Sequence, residues 1–232
     1  MKIKGTKVAI HQPDFISYLG FFNKINKSDI YVILDEVNIS KSGWTHRDQI
    51  KSVNGPIWLT IPIKKIKAEK KINQIEIDNE KDWKKKHLNL IYENYKNAKF
   101  FNEVFFIVKK IYSYNSKKLI DFNYNTIKLL FKNLNINKKI FFLSELNVKG
   151  EKNELLINIL NKLRVKYYLS GDGAKDFLNL KKFEENGLKI IFNEFNHPIY
   201  KQLHGDFICN LSIIDILFNC GIENTRKFLN ND

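Results

Sequence analysis

The sequence predicts an α/β protein whose mostly parallel sheet has flanking helices, a β-hairpin insertion and a central helical layer. The first observation is an apolar run at residues 7–10, helical spacing over 18–25 and a second apolar run at 30–34. Such a βαβ unit places two strands in parallel within one sheet. The second observation is that short apolar runs later alternate with helical segments, which is typical of a parallel sheet covered by helices. These runs lie at residues 140–143, 165–169 and 188–192, with helices predicted over 153–163 and near 175–178.

Three further segments complete the predicted architecture. Residues 44–63 alternate in polarity around the turn signal Asn54-Gly55-Pro56, which favours a β-hairpin. Residues 79–134 carry apolar side chains at helical spacing, so we expect a helical layer or subdomain there. The apolar segment Leu211 to Asn219 predicts a closing helix that packs on the sheet.

Composition indicates a folded protein: 232 residues contain 44% apolar and 13% aromatic side chains. No run approaches the ~20 apolar residues that a membrane helix needs, and no signal-peptide block is visible, so we expect no membrane partner and a cytoplasmic location. Cys209 and Cys220 lack a CxxC spacing, which favours reduced, buried thiols. The five histidines include no HxH or HxxxH pair, so we expect no metal site.

The net charge of +14 raises the question of a nucleic-acid partner. Only Arg47, Arg164 and Arg226 are arginines, and the lysines are spread through a chain that is rich in Asn and Ile. This pattern is typical of an AT-rich genome, and we interpret the lysine runs as solvated faces. A small substrate that carries phosphate would still be attracted to such a surface.

The first candidate cluster follows the first strand, where a helix is about to begin. His11 lies at this position, which favours an anion, and an imidazole there can bind phosphate or act as acid or base. The alternative is that His11 only satisfies loop carbonyls. The polar neighbours favour a function, and they are Gln12, Asp14, Tyr18, Asn23 and Lys24.

The second candidate cluster is residues 44–51, which contain Trp44, Arg47 and Lys51. Arg47 can grip a carboxylate or phosphate, or instead form a salt bridge with Asp48 or Asp35.

The third cluster is the turn Ser170-Gly171-Asp172-Gly173, whose backbone amides suit a phosphate or hydroxyl, although a plain strand-to-helix turn explains it equally well. Ligands of parallel sheets bind outside the carboxyl ends of the strands. We therefore expect His11, Asp35, Arg47 and Ser170 to line a shared pocket.

Taken together, these motifs resemble the WbqC-like protein family over essentially the whole chain, which would make residues 1–232 a single domain with a helical subdomain at about 79–134. Two departures are Ser17-Tyr18, where the family carries proline and tryptophan, and His46, where it tends to carry asparagine. The resemblance rests on these segments: His11-Gln12-Pro13-Asp14, residues 19–25 and 29–35, Trp44, Arg47, Ile50-Lys51, residues 55–62, Trp83, Lys86-His87, residues 169–174 and 211–221.

The resemblance implies a role in bacterial O-antigen and surface-glycan biosynthesis, as a transferase that moves an acyl or aminoacyl group to the amino group of a nucleotide-linked deoxysugar. The expected donor is an acyl thioester, an aminoacyl-tRNA or an adenylate, with ATP as a further candidate. For this chemistry we assign His11 as base and Asp35 as the residue that orients either His11 or the amine. Asp14 is a further catalytic candidate, and Arg47, Lys24 and Lys51 are assigned as phosphate ligands.

Two other functions stay open. A strand that ends in a histidine-containing loop also opens the HIGH-type nucleotidyltransferases, in which the histidine binds triphosphate. This chain has Asp14 in place of that motif's second histidine. The third class is a non-catalytic protein that binds sugar nucleotides or nucleic acid.

Overall fold

The computed structural model describes residues 5–40, 43–65 and 70–230, which form two compact units. Unit 1 contains residues 5–12, 23–36 and 137–196. Unit 2 contains residues 13–22, the described part of 37–136, and 197–230. Helix α1 (Leu19–Asn26) begins in unit 2 and ends in unit 1.

Unit 1 is built on a five-stranded sheet in which every neighbouring pair is parallel. Its strands are β1 (Lys7–His11), β2 (Ile30–Ile33), β5 (Lys139–Phe142), β6 (Tyr167–Gly171) and β7 (Lys189–Asn193). Its helices are α5 (Leu143–Leu146), α6 (Lys152–Lys162) and α7 (Leu180–Glu185), with a 3-10 helix at Asp172–Phe177. The strand order is β5-β2-β1-β6-β7, so β1 occupies the centre.

The central strand is apolar because both of its faces are covered. Val8, Ala9 and Ile10 are consecutive and buried, although successive side chains point to opposite faces of a sheet. Strands of parallel sheets therefore have continuous apolar runs in place of alternation. The predicted α/β class with a mostly parallel sheet is confirmed.

Unit 2 combines a β-hairpin with helices. Its elements are β3 (Arg47–Ser52), β4 (Gly55–Thr60), a 3-10 helix (Ile72–Gln74), α2 (Trp83–Tyr95), α3 (Phe101–Ser113), α4 (Leu119–Leu134) and α8 (Ile213–Asn230). The antiparallel pairing of β3 with β4 confirms the predicted hairpin. The three helices between residues 83 and 134 confirm the helical layer.

The closing helix is longer than predicted. It continues through Gly221, where the backbone turns to φ 79° and ψ 169° and kinks the helix. It packs on α3, α4 and β3. Its apolar face fits aromatic neighbours in unit 2: the rings of Phe218 and Tyr95 stack at 4.6 Å.

Smaller differences concern strand ends and thiols. The helix predicted near 175–178 is a 3-10 helix over Asp172–Phe177 followed by α7. The apolar run predicted at residues 140–143 ends as a strand at Phe142, and Leu143 already begins α5. The thiols are free as predicted but not buried, since Cys209 is exposed and Cys220 half-buried. Within the described residues, no helix has the length and apolar character needed to cross a membrane.

Candidate functional site

His11 is the last residue of β1, at the carboxyl edge of the parallel sheet. Its Nδ1 lies 3.0 Å from the carbonyl oxygen of Gln12. Because a carbonyl only accepts, Nδ1 carries the proton and Nε2 holds the lone pair. The same carbonyl accepts a hydrogen bond from the Tyr31 hydroxyl at 3.4 Å. Gln12 therefore contributes its backbone oxygen, which fixes the tautomer of His11.

The His11 imidazole is neutral at physiological pH. Burial lowers its pKa from 6.5 to about 3, and the nearby positive charge of Lys24 adds to this effect, against the hydrogen bond to Gln12. Burial disfavours the charged form of a base, and a like charge does the same. In the ligand-free protein His11 is thus a weak base, and an anion bound beside Lys24 would raise its pKa.

Helix α1 supplies two polar side chains to unit 1. Lys24 is 6% exposed, and Asn23 is fully buried. The Asn23 side-chain oxygen accepts a hydrogen bond from Nδ2 of Asn193 at 3.0 Å. Asn193 is the last residue of β7, so the pair ties α1 to the carboxyl edge of the sheet. The sequence analysis missed Asn193, although its place at the end of an apolar run is a usable signal.

The turn after β6 lies at the same edge. Ser170 is buried, and Gly171 ends the strand. A Cβ added at Gly171 or Gly173 would meet no atom of the described chain within 4 Å. Gly171 and Gly173 do not have a positive φ, so the backbone conformation does not require glycine at either position. Open space therefore adjoins the backbone here, as a phosphate approaching amide groups requires.

His11 and this turn flank the point where the strand order reverses. When the five strands of unit 1 are counted in chain order, their order across the sheet β5-β2-β1-β6-β7 becomes 3-2-1-4-5. The strand order therefore reverses between β1 and β6. The register pairs Ala9 with Leu169, and two further residues bring His11 level with Gly171. Open parallel sheets bind ligands outside the carboxyl ends of the strands at such a switch point. We call this site, defined by His11, Lys24, Ser170, Gly171 and Gly173, the switch-point site.

Asp35 is hydrogen-bonded to Ser144, which follows β5. It is buried after β2, and its Oδ1 and Oδ2 accept hydrogen bonds from the backbone N–H and the hydroxyl of Ser144, at 3.0 and 2.6 Å. The carboxylate thereby binds the first turn of α5, near which the helix dipole favours negative charge. Asp35 thus positions α5 through Ser144. That it also orients His11 or the amine stays a prediction.

Asp14 lies in unit 2, close to a second buried carboxyl group. Burial raises the pKa of Asp48 well above its usual range, and the nearby charge of Asp14 adds to this rise, against a hydrogen bond from the Gln49 N–H. Thr45 donates its hydroxyl to Asp14 Oδ1 at 3.4 Å. Two carboxyl groups this close favour the protonated form of one of them. The protonated form is therefore favoured at Asp48.

Arg47 stacks on an indole. Its guanidinium carbon lies 4.4 Å from the ring centre of Trp58, whose ring is 5.3 Å from that of Trp44. Both indoles are strongly exposed. Tyr18, another predicted substrate-binding residue, is 38% exposed and forms a β-bridge with Ser212 in unit 2.

Lys51 is structural, contrary to the prediction that it grips phosphate. It is 1% exposed, and its ammonium group donates to the side-chain oxygen of Gln202 at 3.0 Å and to the backbone oxygens of Gly205 and Asp206. An ammonium group has three donors, and these contacts occupy them. Lys51 fixes the 202–206 loop.

The same region contains a network that the sequence analysis largely missed. Asp215 accepts hydrogen bonds from the hydroxyls of Tyr95 and Tyr200 at 2.6 and 2.7 Å and from Gln202 at 3.0 Å. A carboxylate inside the apolar segment 211–218 is the signal that would have revealed it. Buried polar groups with complete hydrogen bonding stabilise one packing arrangement.

The predicted residues thus fall into two groups. His11, Asp35 and Ser170 belong to unit 1, and Arg47 to unit 2. That they line one pocket stays a prediction. Within the described ranges no group of three or more His, Cys, Asp or Glu side chains is arranged to hold a metal ion.

Comparisons with known proteins identify the family of this chain. The profile of the WbqC-like protein family matches residues 12–227. An uncharacterised protein of Mycobacterium tuberculosis, Rv1507c, is 30% identical over 220 residues, which cover 94% of this chain and 95% of the relative. No solved structure matches. The matched span begins directly after His11 and includes the other strand-end residues of unit 1 and the hairpin of unit 2. The chain belongs to the WbqC-like protein family.

Proposed function

We propose that this protein is a transferase of surface-glycan biosynthesis that binds the phosphates of a nucleotide-linked amino-deoxysugar at the switch-point site and acylates or aminoacylates its amino group. The observation that carries the proposal is the convergence of neutral His11, buried Lys24 and the open Gly171 turn where the strand order reverses. The choice of an amino sugar as acceptor and of an acyl or aminoacyl group as the transferred group follows from the family resemblance described in the sequence analysis.

Charge and hydrogen bonding support the phosphate part. The positive charge of Lys24 lowers the pKa of His11, so an anion bound beside both side chains would be attracted to Lys24. The amides after Gly171 add donors, and the missing side chains at Gly171 and Gly173 let a ligand approach the backbone.

The transfer step needs a base and a stabilised carbonyl oxygen. The sugar ammonium loses a proton to the base, its nitrogen forms a bond to the acyl carbon, and the bond from that carbon to the donor sulfur or oxygen breaks. The attacking nitrogen then loses its second proton, which the leaving thiolate of a thioester or alkoxide of an aminoacyl-tRNA takes up; from an adenylate donor, AMP leaves as its phosphate anion and the proton goes to solvent. His11 presents its Nε2 lone pair for the first step. With a pKa of about 3 it is a poor base until phosphate beside Lys24 raises that pKa, so substrate binding activates it.

A second candidate function is nucleotidyl transfer of the HIGH type. One observation favours it: a histidine that is neutral and close to a lysine suits phosphate binding better than proton transfer. The strand order of unit 1 is also that of mononucleotide-binding sheets. In this alternative the sheet edge binds the triphosphate of ATP or another nucleotide.

Calorimetry separates these functions. We expect dTDP- or UDP-linked amino sugars to bind the intact protein more tightly than ATP with magnesium, and a short oligonucleotide to bind weakly and with strong dependence on salt. Tighter binding of ATP with magnesium, followed by pyrophosphate release, would favour the nucleotidyltransferase. If no sugar nucleotide binds, the transferase proposal is wrong.

Mass spectrometry then identifies the reaction. The protein is incubated with an amino-sugar nucleotide and, in separate samples, an acyl thioester, an aminoacyl-tRNA or an aminoacyl adenylate. We expect an amide product with one donor class and its loss in His11→Asn. Phe106→Ala, which changes an exposed side chain on α3, is the matched control. Full activity of His11→Asn would remove His11 from the chemistry.

A further inference from the structure

Two of the three tryptophans lie side by side on the surface of unit 2. Trp44 is 46% and Trp58 41% exposed, whereas Trp83 is 4% exposed. The two exposed rings lie 5.3 Å apart with a tilt of 38°. Exposed indoles cost hydration free energy that burial would recover, so an adjacent pair is a candidate binding surface.

Arg47 adds a cation to this surface. Its guanidinium carbon lies 4.4 Å from the Trp58 ring centre. The β3–β4 ladder fixes the arrangement, because Gln49 pairs with Trp58 and Arg47 with Thr60, which places Arg47 and Trp58 on the same face of the hairpin. A stacked guanidinium keeps its N–H edge directed along the ring plane and has five donors, so it can bind a phosphate beside other contacts.

We propose that Trp44, Arg47 and Trp58 form a binding site for the adenosine phosphate portion of the acyl or aminoacyl donor. The proposal rests on the proposed transferase function in its choice of ligand. An acyl-coenzyme A, an aminoacyl-tRNA and an aminoacyl adenylate differ widely, but each carries an adenine nucleotide. We call these three residues the hairpin site.

The chemistry of the hairpin site fits this ligand. A purine ring stacks on an exposed indole face, and the attached phosphate pairs with the guanidinium. The indole rings are too close together for a base to enter between them, so the base lies on one exposed face. Stacking on a single face binds a base weakly, so tight binding also requires the contact between phosphate and guanidinium. We therefore expect AMP to bind more tightly than either adenosine or a sugar phosphate.

The test uses the fluorescence of the tryptophans in the full-length protein. AMP, adenosine and ribose 5-phosphate are titrated separately, and buried Trp83 contributes a constant background. We expect AMP to quench the signal with saturation, and the other two ligands to bind at least about tenfold more weakly. Quenching by ribose 5-phosphate as strong as by AMP would contradict base stacking.

Variants test the individual contacts. Removing one stacked aromatic side chain weakens base binding about 5- to 150-fold, the equivalent of ~1–3 kcal/mol. We expect this loss for Trp44→Ala or Trp58→Ala, measured by calorimetry, and a smaller loss for Arg47→Lys, which keeps charge but not the planar donor set. Phe106→Ala, another exposed aromatic residue, should bind AMP normally. Circular dichroism establishes that each variant is folded.

Coenzyme A and a short RNA that ends in adenosine distinguish the donor sources. Whichever of these two ligands binds should bind more weakly to the same variants. If AMP, coenzyme A and the RNA all fail to bind, the proposal is wrong. The proposal of the hairpin site and the proposal of transferase activity can be rejected independently of each other. AMP binding that depends on Trp44 and Trp58 without any amide product would retain the site and reject the transferase, whereas amide formation unaffected by these variants would do the reverse.

Discussion

The pH dependence of stability tests the environment of His11 in detail. The pKa of His11 is about 3 in the folded protein, against 6.5 for an unperturbed histidine. The unfolded chain therefore binds a proton first as pH falls. His11 disfavours folding below about pH 6.5, and its effect grows until the pH reaches about 3.

The size of the effect follows from the shift. One pKa unit corresponds to about 1.36 kcal/mol, so at pH 4.5, two units below 6.5, His11 lowers the free energy of unfolding by about 2.7 kcal/mol. His11→Asn removes this titration and keeps a neutral polar side chain. Its stability should fall less than that of the wild type between pH 7 and 4.5, by about 2.7 kcal/mol. His87, whose pKa burial lowers to about 4, is present in both proteins and cancels.

Urea unfolding at several pH values measures this difference. Circular dichroism is the suitable probe, because all three tryptophans lie in unit 2 whereas His11 lies in unit 1. Histidine NMR gives the pKa directly, and inorganic phosphate should raise it. Equal pH slopes for the wild type and His11→Asn, together with a normal histidine pKa, would refute the buried, neutral imidazole.

Three other predictions concern packing and buried contacts, each measured by urea unfolding. Gly221→Ala should destabilise the protein by about 3 kcal/mol, because an added Cβ would lie 2.7 Å from the Phe100 ring at a backbone conformation that favours glycine; an unchanged midpoint would contradict the kink. Ser144→Ala should cost about 2 kcal/mol by removing a hydrogen bond to the Asp35 carboxylate, and a loss no larger than that of an exposed Ser→Ala change would argue against this bond. Lys51→Met should cost about 3 kcal/mol, since one buried and two partly buried oxygens lose their cation, and wild-type stability would show that the ammonium group is dispensable.

The sequence predicted most of the fold because apolar runs and helical spacing are local signals. The parallel strands, the hairpin and the helices between 83 and 134 all follow from such patterns. The path of α8 does not, because glycine usually ends a helix, whereas here the helix continues past Gly221 and the ring of Phe100 leaves no room for a side chain at that position. Tertiary packing decided that element.

The candidate site was predictable in its residues but less so in their roles. The place of His11 at a strand end follows from the sequence, whereas its low pKa depends on burial and on Lys24. Lys51 illustrates the limit: a lysine near an arginine predicts phosphate binding, but three oxygens from distant residues 202–206 occupy its ammonium group. Partners far apart in sequence leave no local pattern.

The central claim is that the switch-point site binds the phosphates of a nucleotide-linked amino sugar. Calorimetry with a dTDP-linked amino sugar, on the wild type and on Lys24→Met, tests it most directly. The account predicts saturable binding to the wild type and a loss of at least about tenfold in Lys24→Met, which removes a charge while keeping a similar shape. Equal binding by the two proteins, or no binding by the wild type, would contradict it.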